Sequence, residues 1–177
     1  MRPKLLLFIS VVFISFALNM AAVVMSAGND ADQGDKSTSA SLNDIGKEEM
    51  AKQILFEIRN VDDPAAKAML YRKLAEECSS TEFAQEALWK LSQLHLDGFD
   101  EPNVNEAIGC LERFIKIYPD SEWRSHVEFS LLGLYENEKL WAKTAGLSEK
   151  LIAENPNMPN RLKEELLRRY KAAKKLL

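Results

Sequence analysis

Residues 113–125 read "RFIKIYPDSEWRS". Phe114, Ile115 and Tyr118 follow helical spacing, Pro119 halts the helix, and Asp-Ser-Glu-Trp carries the signals of a helix start directly after it. Sliding the chain against itself shows why the stop and the start lie so close together. At a shift of 40, "STEFAQEALWKLSQLH" (80–95) lies on "DSEWRSHVEFSLLGLY" (120–135). The shift pairs Thr81 with Ser121, Glu82 with Glu122, Phe83 with Trp123, Trp89 with Phe129, Leu91 with Leu131 and His95 with Tyr135. At a shift of 37, "FIKIYPD" lies on "LIAENPN", which pairs Phe114 with Leu151, Ile115 with Ile152 and Pro119 with Pro156. The repeating unit is a helical hairpin of 37 to 40 residues closed by a proline.

Outward from this stretch, every periodic segment after residue 44 reads as helix. Met50, Ile54 and Ile58, with Leu55 alongside, form the first stripe. "NVDDP" stops it and supplies Asp63 as N-cap with Pro64 at the first helical position of a second helix, which runs to about Cys78. Thr81 is placed to cap a third helix whose stripe is Ala84, Ala87, Leu88, Leu91 and Leu94, broken at "DGFDEPN" by Gly98 and Pro102. The fourth carries the cleanest amphipathic face: Val104, Ala107, Ile108, Leu111, Phe114, Ile115 and Tyr118. A last helix begins near Asn160 and aligns Leu162, Leu166, Tyr170, Ala173 and Leu177; it is expected to close the open apolar end of the array. Its basic residues Arg168, Arg169, Lys171, Lys174 and Lys175 offer a second role at an acidic lipid or protein surface.

The chain has 177 residues, 46% hydrophobic and 28% charged, enough for one modest core. Its net charge of −4 is unevenly spread, because residues 28–158 hold 14 Lys/Arg against 25 Asp/Glu while residues 159–177 hold 7 against 2. An acidic body repels phosphate backbones, so no nucleic-acid partner is expected. At the N-terminus, Arg2 and Lys4 precede "LLLFISVVFISFAL", followed by small residues and the first acid, Asp30, which is the order of a secretory signal. Val24-Met25-Ser26 offers a small-residue cleavage pattern before Ala27, and Met25-Ser26-Ala27 a poorer one before Gly28. The alternative is an uncleaved membrane anchor, since Leu5 to Val24 carries no charge over 20 residues. No cysteine lies near this junction, which excludes bacterial lipidation there. Residues 28–44, "GNDADQGDKSTSASLND", are too polar to order themselves and read as a linker. The expected organisation is therefore a signal or anchor at 1–27, a linker at 28–44, a repeat domain at 45–158 and a basic capping helix at 159–177.

The segment "ALWKLSQLH…NEAIGCLERFIKIYP" resembles tetratricopeptide repeats. Leu88, Leu91, small Ser92 and ring-bearing His95 fall in the family's first helix, and Ala107, Leu111, Phe114 and Pro119 in its second. In "FSLLGLYENEKLWAKTAGLSEKLIAENP" the pair Leu132-Gly133, Tyr135 and Pro156 keep the pattern, whereas Thr144 and Ser148 depart from it. The "YPDS" junction is similar to envelope repeat proteins of Gram-negative bacteria, including helical components of the outer-membrane assembly and Tol-Pal systems. The resemblance implies an all-α, tetratricopeptide-like array of six to seven helices that binds a protein or peptide in the envelope without a cofactor. It further implies that Glu86, Trp89, Gln93 and Asp97 line a concave groove, with Phe129 as the repeat mate of Trp89. Two readings stay open there. Trp89 either faces the groove or packs between helices, and a register one residue different turns Phe129 into the core. The runner-up function is an anchored structural subunit.

No catalytic motif accompanies this pattern: His-Glu-x-x-His, a Gly-rich phosphate loop and Gly-x-Ser-x-Gly are all missing, which leaves a hydrolase as a distant third reading. His95 is expected to pack as a ring and His126 to be solvated. Paired acids such as Glu76-Glu77 and Glu164-Glu165 read as solvated helix faces. Cys78 and Cys110 are expected to remain thiols, because neighbouring stacked helices place them about 12 Å apart along the axis, beyond disulfide reach.

Overall fold

The computed structural model describes residues 42–177; the signal or anchor expected at 1–27 and the expected linker up to residue 41 lie outside the described residues. Seven helices and no strand occur among the described residues: α1 (Leu42–Asn60), α2 (Pro64–Glu77), α3 (Glu82–Asp97), α4 (Val104–Ile117), α5 (Arg124–Asn137), α6 (Trp141–Glu154) and α7 (Asn160–Lys174). Each packs chiefly on its successor, so the predicted all-α hairpin array is the observed architecture. No helix among the described residues is long and apolar enough to cross a membrane. α1 starts at Leu42, inside the expected linker.

The repeat is visible as a register of burial. Ala87, Leu88, Leu91, Ser92 and His95 are buried on α3, and the residues 40 further on, Val127, Glu128, Leu131, Leu132 and Tyr135, are all buried on α5. Ala107, Ile108, Leu111 and Phe114 are buried on α4, and their mates 37 further on, Thr144, Ala145, Ser148 and Leu151, are buried on α6. The repeat also reaches α2. Asp63 Oδ2 accepts from the Ala66 amide at 2.8 Å, and 40 residues later Asn103 Oδ1 accepts from the Glu106 amide at 3.2 Å. Both caps satisfy an amide that the first turn of a helix leaves without an internal partner.

Other helix starts differ from expectation. Thr81 stands at the N-cap of α3 but makes no capping bond there; its hydroxyl donates to the Cys78 carbonyl at 2.7 Å, fastening the end of α2 instead. Ser121 likewise does not cap a helix. Its hydroxyl donates to Gln85 on α3 at 2.6 Å and accepts from the Trp123 amide at 3.2 Å, and α5 begins only at Arg124. In the first stripe Met50 is exposed (39%), and Ala51 takes the inward position beside Ile54 and Ile58. Gly98 closes α3 where a Cβ would stand 2.8 Å from the Leu94 carbonyl oxygen, so a larger residue would force the helix end to shift.

One apolar cluster runs through α1 to α5, including Ile54, Leu74, Leu88, Leu111, Phe114, Val127 and Leu131. A separate one joins Leu132, Leu151 and Leu166 across α5, α6 and α7. The last helix therefore covers the end of the array with Leu166 and Ala173, while Leu177 at the far end of the predicted stripe is exposed (69%). Cys78 and Cys110 are both buried free thiols in different clusters.

Polar residues enter the core in the second half of the array. Glu128, at the position of Leu88, is 3% exposed and meets Arg124 at 3.2 Å and Lys150 at 3.0 Å. Arg124 and Lys150 also reach Glu154, at 2.9 and 4.0 Å. Tyr135, at the position of His95, donates to Glu112 at 2.7 Å, where Lys143 also bonds at 2.7 Å. A buried acid is tolerated when two bases face it and is costly when none does. Glu128→Leu, which copies residue 88, is therefore expected to change unfolding free energy by less than about 1.5 kcal/mol. The reciprocal Leu88→Glu is expected to cost more than about 4 kcal/mol or to prevent folding. Urea denaturation of the two variants checks this asymmetry.

Candidate functional site

The α3 face implied by the family resemblance is only partly open. Glu86, Trp89 and Gln93 are half-buried and Asp97 is exposed, all on α3. The Trp89 ring packs against the large apolar cluster and lies 5.0 Å, centroid to centroid, from the ring of His126 at the start of α5. His126 is thus half-buried against a tryptophan rather than solvated, because the α5 helix start turns it toward α3. The Gln93 amide oxygen is buried without a hydrogen-bond partner among the described residues. His95 packs as expected, 7% exposed and stacked on Phe99 at 5.6 Å, with its Nε2 unpartnered among the described residues.

Phe129 has a different setting from its repeat mate. It packs with Leu132, Leu151 and Leu166, so the structure does not bring it together with Trp89. It lines a half-open cleft of about 490 Å³ whose floor is Phe129, Leu151, Met158 and Leu162, with Ser125, Glu154 and Asn157 around it. The repeat explains the opening. In the preceding layer Trp89 stands at the place of Phe129, Phe114 at that of Leu151 and Tyr118 at that of Asn155. Phe114 and Tyr118 pack edge to face at 5.6 Å, and Tyr118 bonds across to the Ser79 carbonyl at 3.0 Å. Asn155 instead bonds back to its own helix at the Leu151 carbonyl, 3.1 Å away. Three large rings have become one ring, a leucine and an asparagine, and the smaller set leaves the layer unfilled.

The loop 155–159 walls the cleft with Pro156 and Pro159, which lack backbone N–H groups and stiffen the chain. Glu154 faces it with its carboxylate already engaged by Arg124 and Lys150. What this arrangement offers is a rigid apolar seat beside a polar rim. It presents no nucleophile paired with a base. A smaller pocket of about 170 Å³ between α2 and α4 contains Cys110, Arg72 and Arg113. There burial first, and then Glu106, push the Cys110 thiol up to about 11, and the two arginines pair with Glu106 and Glu76 at 3.9 and 3.0 Å.

Of the five residues assigned to the groove from the sequence, Phe129 alone lines the cleft. Sequence reasoning missed Arg124, Glu128, Lys150 and Glu154, although the signal was present: an acid at the repeat position of Leu88, with Arg124 and Glu128 and again Lys150 and Glu154 at helical i,i+4 spacing. No family model, curated protein or solved structure matches the chain.

The two histidines give the domain a pH dependence. Burial lowers the pKa of both, with Glu106 opposing and Arg72 assisting at His95. Below about 6.5 the unfolded chain takes up protons that the folded chain refuses, so stability is full above that value and falls as pH drops toward the depressed folded values. The melting temperature is expected to be insensitive to these groups above about pH 6.5 and to decline below it. His95→Phe, which also removes the unpartnered Nε2, should flatten part of that decline in scanning calorimetry across pH 7 to 5.

Proposed function

We propose that this chain is an exported, non-catalytic scaffold of tetratricopeptide-like design that holds a protein or peptide partner in a bacterial envelope. The observation that carries the reading is the cleft of about 490 Å³ at Phe129, an apolar seat with a polar rim on a rigid hairpin array. A large apolar side chain of a partner fits such a seat, and rigid aromatic floors are favoured anchors for binding. The α3 face with Glu86, Trp89, Gln93 and Asp97 lies one layer away and would extend the contact along the array. Export rests on Arg2, Lys4 and the apolar run that follows them.

The second reading, a membrane-anchored structural subunit, is supported by the charge-free stretch from Leu5 to Val24. The two differ in the mature chain. A cleaved signal gives an intact mass beginning near Ala27 or Gly28 and a protein that washes out with carbonate, whereas an anchor retains Met1 in the membrane pellet.

Binding at the cleft is tested by affinity capture from envelope extracts with a photo-crosslinker at Asn157. Ser125 is exposed at the cleft, so Ser125→Trp fills the seat without touching the core. It is expected to weaken the captured partner by at least about 2 kcal/mol while leaving the melting transition unchanged. Binding that survives Ser125→Trp but is lost in a Glu86→Ala/Asp97→Ala double variant moves the site to the α3 face.

A further inference from the structure

The outward side of α7 has a composition that capping does not require. Its inward side buries Leu166 and Ala173 and is fastened by Arg169, which bonds Glu136 on α5 at 2.8 Å and Glu165 at 2.9 Å. Arg168 also bonds Glu165, at 2.7 Å, so this acid is spent within the helix. Outward, Arg161, Lys163, Lys171, Lys174 and Lys175 are exposed and, among the described residues, have no carboxylate within 4.0 Å of their charged groups; Glu164 is the single acid among them. Arg161, Arg168, Lys171 and Lys175 follow helical spacing and form one stripe. Just past the helix, Leu176 and Leu177 are 57% and 69% exposed beside these cations.

We infer that this basic stripe and its adjoining leucines form a docking surface for an anionic lipid bilayer. A line of cations, of which Arg168 alone is paired with an acid, with apolar side chains beside it, is the arrangement that lies in a membrane interface, the leucines entering the acyl boundary while the long basic side chains reach phosphates. Each lysine or arginine near an anionic surface strengthens binding about fivefold. An acidic surface on a second copy is the nearest competitor. Many of its carboxylates are already committed: Glu76, Glu106, Glu112, Glu128, Glu136 and Glu154 all pair with bases of the same chain. A bilayer supplies free phosphates in a plane and takes up exposed leucines together with the charges.

This surface stands apart from the cleft, and its test is independent of any peptide partner. In the full-length chain, Leu176→Cys is labelled with a polarity-sensitive fluorophore; Cys78 and Cys110 are buried, so the label goes to the new thiol. A probe at this position reports α7 whether or not the N-terminal run also inserts. With phosphatidylglycerol-containing vesicles the emission is expected to shift to the blue, with phosphatidylcholine vesicles it should not, and high salt should abolish the shift. Combining Arg161→Gln, Lys163→Gln, Lys171→Gln and Lys175→Gln is expected to weaken the response a few hundredfold without changing the melting temperature. An equal shift with both lipids, no shift with either, or a shift that grows with protein concentration in the absence of vesicles would overturn the inference, the last outcome assigning the surface to a second copy.

Discussion

Tyr118 stands immediately before Pro119, and the ring of a proline excludes the residue before it from helical backbone. Tyr118 accordingly leaves the helix with φ −120 and ψ 63, α4 ends, and the chain reverses into α5. All that follows depends on this reversal. It sets Val127, Leu131 and Tyr135 against the layer made by Leu88, Leu111 and Phe114, and it turns His126 onto Trp89. Helices of 14 residues such as α4 and α5 are marginal by themselves, so their stability comes from the apolar faces that the reversal presses together.

The same reversal is used again at Pro156, with different material. Thr144 and Ser148 replace Ala107 and Leu111, and Glu128 replaces Leu88. The second layer is held by charge as well as by apolar contact, through Arg124, Glu128, Lys150 and Glu154 on α5 and α6. It is also less full. Where rings were exchanged for smaller groups the fold has kept its helix positions but lost volume, and the lost volume is the cleft at Phe129. A cleft made by thinning a repeated layer needs no additional element, because the neighbouring layers already hold the backbone in place.

α7 serves both ends of this scheme. Its inward side closes the apolar cluster through Leu166 and supplies Leu162 to the cleft. Its outward side carries most of the positive charge that the acidic body lacks. Cleft and basic stripe thus lie on different sides of one helix, so the proposed partner and the proposed membrane surface would meet the same end of the array.

The helices, their order and the 40- and 37-residue registers were legible in the sequence because each rests on local physics: the spacing of apolar residues, the cap at Asp63, the stops at Gly98 and Pro119. Burial even follows the sequence register through Thr144 and Ser148, where the residue types depart from the pattern. Local signals fell short where one side chain had two available partners. Thr81 and Ser121 look like caps in sequence, and packing gave their hydroxyls to Cys78 and Gln85 instead. The candidate site was legible only in Phe129. Whether a residue lines a cleft depends on volumes contributed by Leu151, Asn155 and Leu162, which belong to other helices and meet only when the layers stack. Tertiary structure alone also decided that Glu128 could be buried, since the two bases that neutralise it come from one turn of its own helix and from Lys150 on the next. Periodicity determines which face of a helix turns inward; what that face meets is settled by residues distant in the chain.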